Sequence, residues 1–363
     1  MKFAIRVDST LERGTGHVMR CLVLAENLSD RGATVHFVSR SCPGDLCNRV
    51  ESSGFEVVRL PEATGYGTSE AENTGRTKAE LDEVEDAQIT LQMLSGITEE
   101  FDWVVVDHYD LKIRWEREIR KIAKRILVID DLINSDHDCE ILLNQNLREN
   151  AIARYRPFIP EGSKLFLGPK YALIRWEFLD PARLRDRSGK IRKILIYFGG
   201  NASESLIVFT LRALAPYKTI EISLVLGISG IAVNSVKKIV EGMANVVLIG
   251  ESNQMAHFMH EADLAIGTCG VCAWERCLLG LPSIVVVTAE NQREDAEGLS
   301  RAGAVVHLGE AEEVAVQDFS IALERLMGNA ERVRRMGVAS SAVMKERRAA
   351  ENEFYGALLE GLS

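Results

Sequence analysis

Short apolar runs alternate with amphipathic stretches along most of this chain. KFAIRV at 2–7 predicts a strand, and GHVMRCLVLAENLSDRG at 16–32 predicts a helix. The helix places Val18, Cys21, Leu22, Leu24, Ala25 and Leu28 at helical spacing, with Gly32 as its stop. ATVHFVSR is a second strand, DLCNRVESSG a helix ending at Gly54, and FEVVRL a third strand. AELDEVEDAQITLQMLSG is helical, WVVVDHY is a buried strand with a polar end, KIRWEREIRKIAK is a helix and RILVIDD a further strand. Between them, Pro61 to Lys78 has no period and is rich in Gly and Thr, which marks a long surface loop of the functional kind.

The pattern loosens from Asn144 to Tyr171, and the polar end of RWEFLDPARLRDRSGK predicts a linker. It restarts with IRKILIYF and continues through EISLVLG, ANVVLIG, ADLAIG, PSIVVVT and AVVHLG, with helices between and a helical tail from Val314. Strands alternating with helices mean βαβ units and parallel sheets. The expected architecture is therefore α/β, with two Rossmann-like doubly wound parallel-sheet domains and a cleft between them. The first domain is expected over 1–185 and the second over 190–340. A terminal helix over 341–363 is placed to pack back on the first.

Composition narrows the function classes. At 363 residues the chain suits two α/β domains, and 46% hydrophobic with 26% charged residues is an ordinary globular balance. A formal net charge of −10 repels phosphate backbones and argues against nucleic-acid partners. No apolar run reaches the roughly 18 residues of a membrane span, and the chain opens straight into a strand, so a cytoplasmic protein without membrane insertion is expected. Seven cysteines fit reduced, free thiols. Cys269-x-x-Cys272 has zinc-like spacing, yet no second pair or histidine follows at finger spacing, so small buried thiols and no metal are expected.

Open parallel sheets bind ligands outside the carboxyl ends of their strands. The residues there are Asp8, Ser9, Gly14, Gly16 and His17; Asp107, His108 and Tyr109; and Asp130 and Asp131. In the second half they are Gly199, Gly200 and Asn201; Gly250 to Asn253; Thr268 to Cys272; and Glu290, Asn291 and Gln292. Gly199 and Gly200 allow a backbone to approach a phosphate, or serve only to pack a turn. GTGH opens like a dinucleotide fingerprint, but Met19 occupies the third glycine's place and the motif fails. His17 opens a helix whose dipole disfavours imidazolium there, which leaves a neutral ring able to accept a proton; the alternative is a polar residue that closes the turn.

IRVDSTLERGTGHVMRCLVLAENL resembles the opening of the PseG/SpsG-like family. VVVDHY at 104–109, IDD at 129–131, LLNQN at 142–146, GPKYALIRWEF at 168–178, FGG at 198–200, WERCLLGLPSIVVV at 274–287 and AENQ at 289–292 extend the resemblance. It implies a GT-B-like fold similar to MurG-type glycosyltransferases, with UDP on the C-terminal domain and the sugar against the N-terminal one. The implied reaction is attack of water at C1 of a UDP-linked diacetamido-trideoxyhexose, with inversion and release of UDP. It belongs to pseudaminic acid biosynthesis, a supply of surface polysaccharide and flagellin glycosylation. His17 is then the base, with Tyr109 and Asp8 beside it. Arg6, Gly14, Gly16, Arg20, Asp107, His108, Asn144, Tyr171, Arg175, Asn291 and Gln292 are implied on the substrate side. Gly199, Gly200, Asn201, Gly250, Met255, Gly270, Val271 and Glu275 are implied on the nucleotide side, Glu275 at the ribose hydroxyls. No cofactor is implied, and a monomer is favoured.

Two turns depart from the family pattern. TCGVCAW replaces hydroxyl donors with Val271 and Cys272, and Gly200 is followed by Asn201-Ala202. A glycosyltransferase using a UDP-sugar donor and a non-catalytic nucleotide-sugar binding protein stay open as alternatives.

Overall fold

A computed structural model describes residues 1–10, 14–63, 66, 81–180, 182, 184–185, 187–200, 203–227, 234–250, 252 and 254–360. Most of the loop read at Pro61 to Lys78, and Asn201, lie outside the described residues. The chain divides into two compact units, 1–173 with 347–363, and 174–346.

The first unit is a parallel sheet of β1 (Lys2–Val7), β2 (Thr34–Arg40), β3 (Glu56–Leu60), β4 (Trp103–Asp107), β5 (Ile126–Ile129), β6 (Ile141–Asn144) and β7 (Lys164–Leu167). Its order is β3-β2-β1-β4-β5-β6-β7, so the winding reverses between β1 and β4. Side chains alternate across each strand. Phe3, Ile5, Val7, Trp103 and Val105 share one core with Val18, Cys21, Leu22 and Ala25 of helix α1 (Gly16–Ser29). Ala4, Val104 and Val106 face the other core, under Ala87 and Leu94 of helix Glu83–Leu94 and Trp115 and Ile119 of helix Ile113–Ile119. Burying an apolar side chain such as Phe3 or Ile5 stabilises by about 2 kcal/mol.

Strand β7 and helix Ala151–Tyr155 fall where the sequence pattern loosens. Elements of four or five residues are too short to show a period, and β6 is apolar on both faces because both are covered.

Helix Arg347–Leu359 returns to the first unit. Trp103 Nε1 donates to the Leu358 carbonyl at 2.9 Å, and the Phe354 ring meets Phe166 edge-on at 5.1 Å. Helix Ala330–Val343 stays with the second unit, so the change of unit falls at Glu346, a residue with φ of 69°, and not at 341.

The second unit repeats the plan with β8 (Lys193–Tyr197), β9 (Glu221–Val225), β10 (Val246–Ile249), β11 (Leu264–Thr268), β12 (Ser283–Val287) and β13 (Val305–Glu310). The order is β10-β9-β8-β11-β12-β13, reversing between β8 and β11. These are the doubly wound parallel sheets expected from the alternation. Glycine is required at two approaches: a Cβ on Gly267 would lie 2.1 Å from the Tyr197 carbonyl oxygen, and one on Gly227 would lie 2.5 Å from that of Gly199.

The unit boundary lies ahead of the polar stretch read as a linker because the residues after 174 bond into the second unit. Arg187 is buried and donates to three carbonyls, Met259 at 2.9 Å, Ala262 at 3.1 Å, and Leu279. It thereby satisfies backbone acceptors that end helices Met255–Glu261 and Cys272–Leu278. Burial, with the neighbouring charge of Arg185, pulls its guanidinium down to about 10. Replacement by Met leaves these acceptors unmet, and Arg187→Met is expected to lower the unfolding free energy by about 2–4 kcal/mol in urea titrations. An unchanged midpoint and slope would contradict that role.

Candidate functional site

The carboxyl ends of β1, β4 and β5 flank the point where the first sheet reverses. After β1 the Gly14 N–H donates to the Thr10 carbonyl at 3.0 Å, and Gly14 takes φ of 74°. Gly16 then opens α1, which places His17 and Arg20 three residues apart on one face. Asp107 ends β4 on the same sheet face as Trp103 and Val105, the face that α1 covers.

These residues meet. His17 Nδ1 lies 2.6 Å from Asp107 Oδ1. Arg20 grips the same carboxylate through Nε at 2.7 Å and Nη2 at 2.6 Å, and reaches Asp131 Oδ1 through Nη1 at 2.9 Å. Burial alone would raise the Asp107 carboxyl, but the charges of Arg20 and His17 and their hydrogen bonds hold it well below the usual range. An ionised carboxylate only accepts, so a hydrogen bond across the 2.6 Å contact is donated by Nδ1, and Arg20 Nη2 also lies 3.1 Å from that nitrogen. Asp107, implied on the substrate side, is the buried partner of His17.

Tyr109 packs its ring against His17, centroids 4.7 Å apart and planes at 86°. Its hydroxyl donates to Asp131 Oδ2 at 3.0 Å, and burial with the Asp131 charge pushes its ionisation far up, so it stays a neutral phenol. Asn146 Nδ2 completes the set on Asp131 Oδ1 at 2.6 Å. Asp131 carries no role in the residues implied by resemblance, although it is the last residue of IDD, two residues past the end of β5.

Asp8 and Arg6 are not part of this cluster. Both point to the opposite sheet face, where Arg6 clasps Asp8 and Asp86, Arg40 and Trp115 also reach Asp86, and the Tyr66 hydroxyl donates to Asp8 at 3.0 Å. Asp8 is fully enclosed, and Arg6, with His108, holds its carboxyl well below the usual range against the opposing effect of burial. His108 belongs there too, its Nε2 2.9 Å from the Tyr66 hydroxyl and 3.2 Å from Asp8 Oδ2. The period of two along β1 separates Asp8 from His17.

Two further residues implied on the substrate side have partners within the unit. Asn144 is buried, donating to the Tyr155 hydroxyl at 2.8 Å and accepting from the Asn146 N–H at 2.8 Å. Tyr171 is buried against Phe166 and bonds Glu353 Oε2 at 2.8 Å, which ties down the terminal helix; burial and Glu353 push its hydroxyl up to about 12.

In the second unit, Arg175 donates to Glu275 through Nε at 2.7 Å and Nη2 at 2.9 Å, with Nη1 2.9 Å from Glu177. Glu275 is 2% exposed, so both its oxygens are engaged by Arg175 inside the unit. Gly199 takes φ of 90° after β8, and the helix that follows begins at Glu204, beyond the glycine pair. Gly200 forms the turn, Gly250 is exposed past β10, and Met255 is a buried side chain opening its helix. Gly270 and the half-buried Val271 lead into helix Cys272–Leu278. Asn291 and Gln292 lie in the turn Glu290–Gln292, where Gln292 Oε1 accepts from the Thr288 N–H and hydroxyl, each at 3.2 Å. Among the described residues no group of three or more His, Cys, Asp or Glu could hold a metal ion, and no helix is long and apolar enough to cross a membrane. All seven cysteines are unpaired thiols, and burial pushes those of Cys269, Cys272 and Cys277 up to about 12.

The solved structures that resemble this chain define its class. MurG of Acinetobacter baumannii aligns over 98% of both chains with a TM-score of 0.62 at 16% identity. UGT2 of Phytolacca americana, complexed with UDP-2-fluoroglucose and pterostilbene, aligns over 99% of this chain and 100% of its own with a TM-score of 0.66 at 12% identity. The fold is therefore the GT-B type of two parallel-sheet α/β domains. Within it the chain is PseG/SpsG-like, at low identity. It is 27% identical over 305 residues to UDP-2,4-diacetamido-2,4,6-trideoxy-beta-L-altropyranose hydrolase of Campylobacter jejuni, covering 84% of this chain and 97% of that one. It is 23% identical to spore coat polysaccharide biosynthesis protein SpsG of Bacillus subtilis, covering 91% and 90%. An uncharacterized protein of Methanocaldococcus jannaschii is 24% identical over 302 residues, 81% of this chain but only 57% of that longer protein. No family model matches the chain.

The segment after Asp131 is pinned at its far end. His137 Nδ1 lies 2.7 Å from Glu116 Oε1, and the Asp138 N–H donates to Glu116 Oε2. Burial lowers the His137 value, but the Glu116 hydrogen bond and charge win and raise it above its ordinary 6.5. The folded state therefore holds this proton more tightly, and the stabilisation is complete below the ordinary value and lost as pH rises through the raised one. The stability difference between wild type and Glu116→Gln is expected to be largest below about pH 6 and to shrink as pH rises, in melts across pH. A difference that is flat with pH would show that His137 is not charged there.

Proposed function

We propose that the chain is a UDP-sugar enzyme of polysaccharide biosynthesis, and more narrowly a hydrolase. It releases UDP from a UDP-linked diacetamido-trideoxyhexose by attack of water at C1 with inversion, in nonulosonate biosynthesis of the pseudaminic acid type. The observation that carries this is the His17–Asp107 pair at the ligand edge of the first sheet, Nδ1 lying 2.6 Å from the carboxylate so that Nε2 is the ring nitrogen turned away from Asp107. Similarity to the Campylobacter hydrolase over 97% of its length supports the choice of reaction.

In this reading Nε2 takes a proton from water as the oxygen attacks C1, and Asp107 balances the imidazolium that forms. UDP leaves as an already acidic group, so a general acid is not needed. The neutral Tyr109 phenol, committed to Asp131, packs the ring and donates no proton. The nucleotide is assigned to the crests of the second unit, with backbone N–H groups at Gly199–Gly200 and Gly270–Val271 facing phosphate. Glu275 meets the ribose after exchanging Arg175, for which Glu177 at 2.9 Å is the ready alternative partner.

The test supplies the UDP-diacetamido-trideoxyhexose with no acceptor, in ¹⁸O-labelled water. The expected products are UDP and a free sugar of inverted configuration, labelled at C1. His17→Ala is expected to lower kcat by about a hundredfold or more, and Asp107→Asn by a similar factor through the wrong tautomer. Turnover that waits for an acceptor alcohol would make the chain a glycosyltransferase, and UDP binding without turnover a binding protein.

A further inference from the structure

We infer that Asp131 is a positioning residue for the reaction at His17, acting on both sides of the imidazole at once. The inference rests on the reading of His17 as the base. Asp131 follows β5 and its carboxylate is almost wholly buried. On one side Oδ1 holds Arg20 at 2.9 Å, and Arg20 in turn holds the Asp107 carboxylate that aims Nδ1. On the other side Oδ2 holds the Tyr109 hydroxyl at 3.0 Å, which fixes the ring lying edge-on to His17. Asn146 at 2.6 Å braces the carboxylate from a third loop.

Charge adds to geometry. Asp107 and Asp131 set two negative charges against the one positive charge of Arg20, Tyr109 adds none, and a second guanidinium, Arg148, donates to the Asp131 carbonyl at 3.3 Å. The two carboxylates thus stand where their charge can balance the imidazolium formed as water is deprotonated. Asparagine at 131 keeps the volume and one acceptor oxygen, removes the charge, and leaves Arg20 to neutralise Asp107 alone.

The experiment compares wild type, Asp131→Asn and Tyr109→Phe, each checked for folding by circular dichroism. One readout is kcat and KM for the UDP-diacetamido-trideoxyhexose. The other is the ¹⁵N spectrum of the His17 ring in substrate-free, histidine-labelled protein. Asp131→Asn is expected to lower kcat about tenfold or more with KM within about twofold, and to shift the His17 ring nitrogens. Tyr109→Phe releases only the Oδ2 arm and is expected to give a smaller loss in kcat and a smaller shift. If Asp131→Asn does not fold, Tyr109→Phe alone decides by the same two readouts. An unchanged His17 spectrum overturns the inference, as does a change in KM with kcat preserved. Absence of UDP release from wild type would remove the hydrolase reading, while the ring spectrum still decides whether Asp131 governs His17.

Discussion

Arg20 is a single cation shared between two buried carboxylates, and the geometry of the first unit's ligand edge depends on it. Its three donor nitrogens are all committed, two to Asp107 and one to Asp131. A carboxylate buried without a partner is costly, and removing one partner from such a pair typically costs about 3–5 kcal/mol. The ends of β4 and β5 are therefore held to α1 by charge as well as by packing. His17 sits one helical turn ahead of Arg20, so the requirement that orients the guanidinium also orients the imidazole.

The other polar cluster of the unit shows what this one is not. Arg6 and Arg40 face Asp8 and Asp86, so charges balance, and Ser39, Tyr66, Trp115 and backbone N–H groups take up remaining acceptor positions. Such a set fastens strands and helices, with Arg40 Nε left as a buried donor without a hydrogen-bond partner. The cluster beneath His17 sets Arg20 between two carboxylates and ends in an imidazole that is part-exposed, its side chain 11% accessible. Two networks on opposite faces of one sheet thus differ in access: one is enclosed, and the other reaches the part-exposed His17.

Much of the fold was legible in the chain. Long alternating segments announced both sheets, because covered parallel strands are apolar runs and their helices are amphipathic. What was missed was short: β7 and helix Ala151–Tyr155 have too few residues to show a period. His17 was legible from its turn. Its partner was harder to read, since Asp107 and Asp8 both follow apolar strands and differ only in which face they take. Alternation from Val105 to Asp107, and from Arg6 to Asp8, decides this once α1 is known to cover the face of Ile5 and Val7. Asn144 and Tyr171 lie within matching motifs yet turn inward, to Tyr155 and Glu353. A motif marks a place in the chain, and the direction of each side chain within it depends on packing across distant segments.

The return of helix Arg347–Leu359 to the first unit has a consequence for synthesis. The second unit is an insertion: all its residues leave the ribosome before the first unit has received its last helix. Until then the indole of Trp103 lacks the Leu358 carbonyl, and the face of Phe166 and Tyr171 lacks Phe354 and Glu353. Domains are generally completed in order during translation. Here the half that carries His17 begins first and is completed last, so the apolar seat of one helix stays open while an entire neighbouring unit is made.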